Sequence, residues 1–410
     1  HKRRQEEEER VVKVLQITAF SGWGCTGRIA VGIDNVLKEH GCESAIAWGR
    51  TNTAPDTVHT IRIGNSFDQK CHGFYTRITD KCGFASKTVT KEFLKELAEY
   101  NPDLIQLHIM HGYYINLEEL FTYIKKKNIP VVWTFHDCWA FTGHCPYFDL
   151  VGCEKWKVGC ERCPQKKHHP TSWVLDNSKW NWNKKKELFT CIENLTIVTP
   201  SEWLAELVRQ SFLEKCRIEV INNGINVDSF KPTYSDIHGK YKIQNKEIVL
   251  GVSSSWAKSK GLDDFVELSK MLPSKYQIIL VGLTQEQKSN LPDNIIGLTR
   301  TDSVQELAEL YTAAFVFVNP TYEDNYPTTN LEALACGTPV ITYRTGGSVE
   351  AVEKCGSGVV VEQGNVKGIL GAIEKQQISG KRKKPLFCCD EKVNYEKYYM
   401  LYCDILEKNK

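Results

Sequence analysis

Short apolar runs rich in β-branched residues alternate with longer segments of helical periodicity along most of the chain. A strand buried on both faces of a parallel sheet reads as such an unbroken run, because helices cover both faces. The segments between the runs place apolar residues three and four positions apart, as at Ile29, Ile33 and Val36. The apolar runs lie at residues 11–17, 104–107, 131–135, 197–199, 249–252, 278–281, 315–318 and 340–343. This alternation predicts an α/β fold built on doubly wound parallel sheets.

The alternation breaks at two places, which divide the chain. Residues 138–186 are rich in Cys, Trp, Pro, His and Lys without a sustained period, and this predicts a long loop insertion. Residues 222–232 contain Asn-Asn-Gly and Phe-Lys-Pro, which are typical of a linker. We therefore predict an N-terminal Rossmann-like domain over residues 11–222, carrying the insertion, and a C-terminal Rossmann-like domain over residues 223–390.

The two ends of the chain differ from these domains. Residues 1–10 carry eight charges and are predicted to be a charged lead-in or an artificial remnant. Residues 391–410 place Val, Tyr, Met, Leu and Ile at helical spacing. That spacing predicts a C-terminal crossover helix that packs with its apolar side against a folded domain.

The composition excludes several classes of protein. The chain has 410 residues, which suits two or three domains, and its 41% hydrophobic and 25% charged residues are typical of a globular protein. With 52 basic and 50 acidic residues, the net charge of +2 argues against nucleic acid as a partner. The sequence contains no apolar stretch of the roughly 18–20 residues that a membrane span needs. The 16 cysteines come without a signal peptide, so we expect a cytoplasmic location.

The loops that follow the predicted strands carry the candidate site residues, because ligands of open α/β sheets bind beyond the carboxyl ends of the strands. After the first strand, Gly24, Thr26 and Gly27 precede a helix, where backbone N–H groups and the helix dipole can bind an anion. A tight turn without a ligand would have the same sequence. Both interpretations remain open from the residues alone.

Histidines follow two neighbouring strands of the N-terminal half. His136 comes directly after residues 131–135, and His108 and His111 come after residues 104–107, with Asn116 close behind. We interpret these side chains as a polar cleft wall and assign His111 and Asn116 to the acceptor side. The alternative is that His136 only holds loop backbone in place.

The C-terminal half has the sharper pattern. Lys260 stands at the entrance to a helix, where a lysine pairs naturally with phosphate. Asp324 lies in the loop after residues 315–318, and Glu332 comes eight residues later on the predicted helix. One carboxylate can therefore contact ligand hydroxyls from the loop while the other reaches a second hydroxyl pair from the helix.

This arrangement resembles a known family. An acidic residue, seven residues, and then Glu-Ala-Leu-Ala-Cys-Gly-Thr-Pro-Val is similar to the signature of family-4 retaining glycosyltransferases with the GT-B fold. The opening Gly-Cys-Thr-Gly-Arg-Ile resembles the first-loop motif of a bacterial polysaccharide-biosynthesis subgroup. Further motifs fall in the family's order at residues 134–137, 199–203, 221–225 and 260–261, so the resemblance covers nearly the whole chain. It implies two Rossmann-like domains facing a central cleft, with the C-terminal helix packing back on the N-terminal domain.

The resemblance also implies a role for each matching residue. Glu332 matches the acid that binds the nucleotide ribose, Asp324 matches the acid that contacts donor-sugar hydroxyls, and Glu323 is a rival for that second role. The backbone of Asn325, Tyr326 and Pro327 is expected to lie against the sugar.

Three further assignments concern the diphosphate and the transferred sugar. Lys260 matches the lysine that binds the diphosphate, which Gly24, Thr26 and Gly27 face from the N-terminal domain. His136 matches a histidine that contacts the transferred sugar. With Asp324 and Lys260, His136 completes the expected catalytic set.

Two positions depart from the family. Asp324 stands where the first acid is usually Glu, and the arginine that normally precedes Lys260 by five residues is replaced by Ser255. Arg344, Arg28 and Lys258 are the candidates to supply the missing charge, and the sequence does not distinguish between them. The two departures also keep an inactive nucleotide-sugar-binding protein in consideration.

The activity that the resemblance implies is retaining transfer of a sugar from a nucleotide-diphosphate sugar, with a UDP- or GDP-sugar expected. The acceptor is expected to be a glycan or lipid-linked glycan of cell-surface polysaccharide biosynthesis. No cofactor is expected for catalysis, since Lys260 and helix-entrance amides would stabilise the leaving diphosphate. A phosphorylase or an epimerase on the same fold is the other alternative.

The insertion contains a cluster of cysteines. Cys160 and Cys163 have the spacing of a metal-binding knuckle, and Cys145 and Cys153 would complete a structural zinc site. Disulfides, or reduced buried thiols, are the alternatives.

Two further features can bear on partners. Trp173, Trp180 and Trp182 can stack on sugars or merely cover a domain surface. The basic stretch Lys381 to Lys384 can contact the anionic inner membrane face or be a solvated linker.

Overall fold

The computed structural model describes residues 11–22, 24–50, 58–243, 245–375 and 389–409. The predicted lead-in at residues 1–10 and the basic stretch Lys381 to Lys384 lie outside the described residues. The chain divides into two compact units. The N-terminal unit comprises the residues up to Pro200, Ala205–Ile221 and the chain from Tyr395 onward, and the C-terminal unit comprises Ser201–Leu204 and Asn222–Asn394.

The N-terminal unit is built on a parallel sheet of seven described strands. The strands are β1 (Lys13–Thr18), β2 (Glu43–Trp48), β3 (Thr60–Arg62), β4 (Leu104–Leu107), β5 (Val131–Thr134), β6 (Leu195–Thr199) and β7 (Arg217–Val220). Their order across the sheet is β3-β2-β1-β4-β5-β6-β7. The helices in chain order are α1 (Gly24–Glu39), α2 (Ser66–Thr79), α3 (Lys87–Tyr100), α4 (Leu117–Lys127), α5 (Ser178–Phe189) and α6 (Glu202–Arg209).

The C-terminal unit repeats this design with six described strands in the order β10-β9-β8-β11-β12-β13. The strands are β8 (Glu247–Val252), β9 (Tyr276–Val281), β10 (Ile295–Leu298), β11 (Val316–Asn319), β12 (Val340–Tyr343) and β13 (Gly358–Val361). The helices are α7 (Ile237–Lys240), α8 (Leu262–Met271), α9 (Gln285–Ser289), α10 (Val304–Ala313), α11 (Thr328–Ala335), α12 (Ser348–Cys355) and α13 (Val366–Glu374), and α14 (Glu391–Lys408) follows.

Both faces of the C-terminal sheet are covered by apolar clusters. Ile248 and Leu250 of β8 belong to one cluster, whereas Val249 between them belongs to the cluster on the other face. Successive side chains of a strand point to opposite faces, so a strand covered on both sides needs apolar residues at every position. The predicted α/β fold with two doubly wound, Rossmann-like units is confirmed.

The C-terminal helix α14 packs on the N-terminal unit, as predicted. Its Tyr395, Tyr398 and Leu401 join Ile29 and Ile33 of α1 in one buried cluster. The Tyr398 hydroxyl also lies 3.0 Å from Thr134 Oγ1 at the end of β5. The helix therefore closes one face of the N-terminal sheet with both apolar and polar contacts.

Helix termini follow the local sequence chemistry, as α4 shows. The side chain of Asn116 accepts a hydrogen bond from the Glu119 amide, Glu118 and Glu119 occupy the first turn, and three lysines occupy the last turn. This charge distribution is favourable for the helix dipole at both ends. Among the helices of the described residues, none combines the length and the apolar character that crossing a bilayer requires.

The insertion is shorter than the sequence predicted, because α5 begins at Ser178. Short 3-10 helices at Trp139–Phe141, Asp149–Val151 and Lys155–Lys157 interrupt the preceding segment. The periodic signal of α5 was obscured because its buried side includes the polar residues Asn181 and Lys185. These side chains hold the insertion rather than join an apolar core.

Lys185 shows how this contact works. Its ammonium group is fully buried and donates to the carbonyl oxygens of Trp139 and Thr142 at 2.7 and 3.1 Å. It also lies 3.3 Å from the centre of the Trp139 ring. Burial lowers the pKa of Lys185 to about 7, since the charged form loses its water. Nothing in the sequence pattern marked this lysine as buried.

Candidate functional site

The carboxyl ends of β8 and β11 bring two of the predicted site residues into contact. These strands are neighbours in the C-terminal sheet, so the loops that follow them meet at one edge. Lys260 Nζ lies 2.7 Å from Asp324 Oδ2, and the two side chains are partly exposed. Asp324 Oδ1 accepts a hydrogen bond from the Asn325 amide at 3.0 Å. The structure therefore forms a cation–carboxylate pair at the place where the sequence predicted donor binding.

Lys260 also holds the backbone of the acidic loop, residues 320–327 between β11 and α11. Its Nζ donates to the carbonyl oxygen of Glu323 at 2.9 Å and to Thr321 Oγ1 at 3.3 Å. Of the two rival acids, Asp324 thus contacts Lys260 through its carboxylate, whereas Glu323 does so through its backbone. The contact fixes the loop without using the Glu323 side chain.

Two glycines allow a second loop to press against this one. A Cβ atom on Gly346 would lie 2.0 Å from the carbonyl oxygen of Asp324, and one on Gly347 would lie 2.0 Å from that of Asn325. No side chain fits such a gap, which explains the paired glycines after β12. The Asn325 side chain in turn accepts a hydrogen bond from Ser201 Oγ, and Asn223 Nδ2 donates to the carbonyl oxygen of Tyr326 at 3.1 Å. The segment from Asp324 to Tyr326 is therefore fixed from several sides.

Glu332 lies on α11, the helix that follows this loop. The residue is only 6% exposed, and its Oε2 accepts a hydrogen bond from the Tyr311 hydroxyl at 3.0 Å. Burial and the neighbouring Glu332 carboxylate raise the pKa of Tyr311 well above its ordinary value. Tyr311 therefore stays protonated and orients the carboxylate.

A buried polar network positions α11, and sequence analysis missed it. Asn330 Nδ2 donates to the carbonyl oxygen of Ser348, and Asn330 Oδ1 accepts from Asn319 Nδ2 at 2.9 Å. The hydroxyls of Thr342 and Ser348 lie 2.7 Å apart. Asn319 and Thr342 are polar residues inside otherwise apolar strands, which was the signal available. The network joins α11, β11, β12 and the start of α12.

The structure shows the surroundings of two candidates for the positive charge that is missing at Ser255. Arg344 forms ion pairs with Glu362 at 3.0 Å and Glu353 at 3.7 Å, so its charge is already shared by two carboxylates. Lys258 is exposed and lies in the same 3-10 helix as Lys260. The role of Arg344, Arg28 or Lys258 at the diphosphate stays a prediction.

In the N-terminal unit, the histidines after β4 and β5 share one pocket. His108, His111, His136 and Asp137 all line it, together with Trp139 and other residues at the two strand ends. His111 Nε2 lies 2.9 Å from Asp137 Oδ2. Burial raises the pKa of Asp137, but the charge and hydrogen bond of His111 lower it further, so that it ends below its ordinary value. Asp137 is therefore ionised at neutral pH.

His136 is held in its neutral form. Burial lowers its pKa to about 4, and the neighbouring Asp137 charge only partly opposes this effect. Burial and the adjacent His136 likewise hold the pKa of His108 well below its ordinary value. Two neutral imidazoles therefore stand side by side at the strand ends.

The glycine-rich loop after β1 leads directly into α1. Gly24 has a φ of +67° and is exposed, whereas Gly27 is buried, and a Cβ there would lie 3.0 Å from the Gly22 amide nitrogen. Thr26 is partly exposed in the first turn, which contains no acidic residue. A helix N-terminus of this kind favours an anion.

Asn116 does not have the arrangement of an acceptor-site residue. It is fully buried, and its Nδ2 donates to the carbonyl oxygens of Phe84 and Ala85 while its Oδ1 caps α4. The assignment of Asn116 to the acceptor side is therefore corrected, because these backbone groups use both side-chain atoms. His111 remains in the pocket beside Asp137.

The four cysteines predicted to hold zinc all line one small cavity in the insertion. However, the part of the chain that the structure describes holds no group of three or more His, Cys, Asp or Glu side chains placed for a metal ion. Instead, the thiols of Cys145 and Cys163 interact with each other, and Cys160 Sγ accepts a hydrogen bond from the Gly143 amide at 3.1 Å. All four are free thiols. The arrangement does not support the zinc site and corresponds to the alternative of reduced thiols.

The tryptophans of this region have different environments. Trp182 is buried and its Nε1 donates to the carbonyl oxygen of Trp156 at 2.9 Å, which makes it a structural residue. Trp180 packs edge-on against Phe84, whereas Trp173 is largely exposed.

Two family models match the chain. The family described as "Glycosyltransferase Family 4" matches residues 35–229, and the family described as "Glycosyl transferases group 1" matches residues 234–384. The two matches are consecutive and cover most of both units.

Several curated relatives are similar to the chain over part of its length. The colanic acid biosynthesis glycosyl transferase WcaC of Escherichia coli is 27% identical over 270 residues, covering 64% of this chain and 65% of WcaC. The capsular polysaccharide biosynthesis glycosyltransferase CapM of Staphylococcus aureus is 26% identical over 194 residues, which are 44% of this chain and 51% of CapM.

A third relative is the N,N'-diacetylbacillosaminyl-diphospho-undecaprenol alpha-1,3-N-acetylgalactosaminyltransferase of Campylobacter jejuni. It is 26% identical over 222 residues, which are 50% of this chain and 58% of that enzyme. The matched regions thus span between about half and just under two thirds of the length of these relatives.

Solved structures share the fold over nearly the whole chain. Sucrose-phosphate synthase from Thermosynechococcus elongatus has a TM-score of 0.70 at 18% identity, covering 97% of this chain and 100% of that one. Anabaena HepE in complex with UDP and glucose has a TM-score of 0.63 at 14% identity, covering 97% and 99%. The two family matches together show that the chain belongs to the group 1 and family 4 glycosyltransferases, and the likeness to the solved structures shows that its fold is GT-B.

Proposed function

We propose that this protein transfers a sugar from a nucleotide-diphosphate sugar to a hydroxyl group of a glycan or lipid-linked glycan, with retention of anomeric configuration. The observation that carries the proposal is the Lys260–Asp324 pair, formed at 2.7 Å at the carboxyl end of a doubly wound sheet, with the buried Glu332 on the helix that follows the same loop. A cation for phosphate and two carboxylates for hydroxyl groups are what a nucleotide-sugar requires of a binding site.

Each residue of the C-terminal unit has a defined part in this proposal. Glu332 accepts hydrogen bonds from the ribose hydroxyls, and Tyr311 keeps its carboxylate oriented. Asp324 accepts from hydroxyls of the donor sugar. Lys260 exchanges its contact with Asp324 for the diphosphate when the donor binds, and its charge then offsets the charge that develops on the leaving group.

The proposed chemical step needs no protein nucleophile. The bond between the anomeric carbon and the diphosphate oxygen breaks, and its electron pair leaves with the nucleoside diphosphate. The acceptor oxygen bonds to the anomeric carbon from the same face, and its proton passes to the departing phosphate oxygen. His136 contacts the transferred sugar, Gly24, Thr26 and Gly27 offer N–H groups and the helix dipole to the diphosphate, and Asn325, Tyr326 and Pro327 present backbone to the sugar.

The donor and acceptor classes rest on the relatives. HepE was solved with UDP and glucose, and the Campylobacter relative is named for a diphospho-undecaprenol acceptor. We therefore propose a UDP-sugar, with a GDP-sugar as the alternative, and a glycan or lipid-linked acceptor of cell-surface polysaccharide biosynthesis in the cytoplasm. His111, in the same pocket as His136, is proposed for the acceptor side.

A ligand screen tests the donor site. We expect the melting temperature to rise with the sugars of one nucleotide among UDP-, GDP-, ADP-, dTDP- and CMP-sugars, since a ligand at 100 times its Kd stabilises by about 2.7 kcal/mol. The stabilising donor is then incubated with acceptor extracts and the released nucleotide is measured. No stabilisation by any donor would contradict the proposal. Stabilisation without turnover would favour the inactive binder that the Ser255 departure suggests, and turnover that requires inorganic phosphate or no acceptor would favour a phosphorylase or epimerase.

Contact with an anionic membrane is also proposed, from a surface of the N-terminal unit. The apolar–basic surface comprises Phe74 and Tyr75 of α2 and the loop residues Trp173, Val174 and Leu175, which are 37–61% exposed. The loop is attached to α2 by hydrogen bonds from the Trp173 and Leu175 amides to the last turn. Cations border it: the Arg77 guanidinium lies 5.5 Å from the Trp173 ring centre, and Lys166 Nζ donates to the carbonyl oxygen of Val174 at 2.9 Å. Exposed aromatic residues flanked by cations suit an anionic lipid surface.

Vesicle flotation tests this contact. The protein is expected to float with vesicles that contain anionic phosphatidylglycerol, at least ten times more than with neutral phosphatidylcholine vesicles, and high salt should weaken the binding. The double variant Phe74→Ser, Trp173→Ser should lose the binding. Met400→Ser is the control, since Met400 is an equally apolar and 67% exposed residue of α14. Equal flotation of both variants would contradict the proposed surface.

A further inference from the structure

A chain of hydrogen bonds leads from the buried sheet to His136. It begins at Gln16, a fully buried residue of β1. The Gln16 Nε2 group donates to the carbonyl oxygen of Ala30 at 2.8 Å, which fixes the orientation of the amide. Gln16 Oε1 therefore faces the next residue in this series of hydrogen bonds as an acceptor.

That next residue is His108. Its Nε2 lies 3.1 Å from Gln16 Oε1, so Nε2 must carry the hydrogen. A neutral imidazole has one protonated nitrogen, and His108 is neutral because burial, and the adjacent His136, hold its pKa well below the ordinary value. His108 Nδ1 is consequently unprotonated and can only accept a hydrogen bond.

The bare nitrogen of His108 faces His136. His108 Nδ1 and His136 Nε2 are 3.3 Å apart, and the two rings are nearly parallel, with centres 5.6 Å apart. Only a hydrogen on His136 Nε2 makes this contact favourable. The reverse direction would place the bare Nε2 of His108 against a carbonyl-type oxygen of Gln16, so that two acceptors would repel each other.

We propose that Gln16 and His108 act as positioning residues that hold His136 as its Nε2–H tautomer. The inference rests on the proposed function, which places His136 against the transferred sugar. In this tautomer Nδ1 is the only ring nitrogen of His136 that can accept a hydrogen bond from a sugar hydroxyl. Among the described residues, Asp137 and His111 act electrostatically on His136 and lie 2.9 Å from each other, and the Tyr147 hydroxyl donates to the His136 backbone carbonyl.

The tautomer can be measured directly on the unaltered protein. In protein labelled with ¹⁵N-histidine, long-range proton–nitrogen spectra distinguish a protonated from a bare ring nitrogen, and the signals of His136 are those missing from His136→Asn. We expect the hydrogen on Nε2 in the absence of any ligand. A hydrogen on Nδ1 would overturn the proposal whatever the activity of any variant.

The variant Gln16→Glu tests the catalytic consequence. A carboxylate beside His108 favours its doubly protonated form, which donates from both nitrogens and forces His136 to accept at Nε2. The tautomer of His136 should then reverse, and kcat should fall about 100-fold or more while the donor KM changes less than about threefold. A reversed tautomer with unchanged kcat would overturn the positioning role.

Gln106→Glu is the matched control for burying a carboxylate. Gln106 pairs in register with Gln16 on the neighbouring strand β4 and is equally buried, but its side chain contacts Thr134 and Tyr402. Gln106→Glu should destabilise the fold to a degree similar to that of Gln16→Glu and leave the His136 tautomer unchanged. If kcat falls similarly in both variants while both retain the His136 tautomer, the loss comes from reduced stability and the proposal is overturned. Turnover by the unaltered protein tests the proposed function separately, since the tautomer is read without substrate.

Discussion

Replacing Lys260 by methionine is expected to reduce kcat/KM for the donor by about 10²- to 10³-fold. The departing diphosphate gains charge in the transition state, and removal of one preorganised donor to such a charge typically costs about 3–4 kcal/mol. Ser255 stands where the family resemblance implies an arginine, so we expect fewer groups to share this task. Methionine keeps most of the side-chain volume, and the Asn325 amide still contacts Asp324. The variant should therefore fold.

The comparison that makes this result specific is Lys270→Met. Lys270 is an exposed residue of α8, so its loss removes one positive charge from the same unit without touching the acidic loop. Initial rates over a range of donor concentrations give kcat and KM for both variants. Equal and small effects in the two would remove Lys260 from the diphosphate site.

Glu332→Gln should weaken donor binding by about 10- to 100-fold and change kcat much less. Hydrogen bonds to a charged group contribute about 1.5–3 kcal/mol, and the amide replaces one acceptor oxygen by a donor where ribose hydroxyls would donate. The substitution is isosteric, and the Tyr311 hydroxyl can still donate to the remaining oxygen. Calorimetric titration with the stabilising nucleotide, without its sugar, isolates the ribose contact.

Glu306→Gln is a close match for this variant. Glu306 is also 6% exposed and also accepts from a tyrosine hydroxyl, that of Tyr241 at 2.6 Å, but its other partners are Lys240 and the Asp302 amide. This substitution should lower the melting temperature and leave nucleotide affinity unchanged. If Glu332→Gln binds nucleotide as tightly as the Glu306 variant does, the ribose assignment is wrong.

The strands named from the sequence are those covered on both faces. The segment at β4, Leu104–Leu107, is buried at every position and was recognised at its observed bounds. The edge strands β7 and β13 are half-exposed. β7 has the sequence Arg-Ile-Glu-Val, which mixes charged and apolar residues, and the apolar run of β13 is only three valines long, so neither strand was named. β2 was not named either, because the sequence Glu-Ser-Ala-Ile-Ala-Trp is rich in residues that also suit helices. Burial on both faces, rather than strand formation itself, produced the readable signal.

In the candidate site, too, some features could be predicted from the sequence and others depend on the tertiary structure. The loops after β8 and β11 could be located from the sequence, because strand ends and helix starts are encoded by neighbouring residues. The contact between Lys260 and Asp324 joins positions 64 residues apart and exists because β8 and β11 are adjacent in the sheet. Asn116 carried the sequence signal of a polar loop residue, yet its surroundings make it a helix cap.

The sequence by itself therefore determined the fold class, the order of strands and helices along the chain, the family and the loops in which its chemistry resides. Only the tertiary structure decided that Arg344 is shared by two carboxylates, that the insertion's cysteines are not arranged as a ligand set, and that Gln16 reaches His136 through His108. The physical reason is the separation along the sequence between the residues that interact. Periodicity and capping report interactions within a few residues, whereas these contacts depend on which strands the crossovers place side by side.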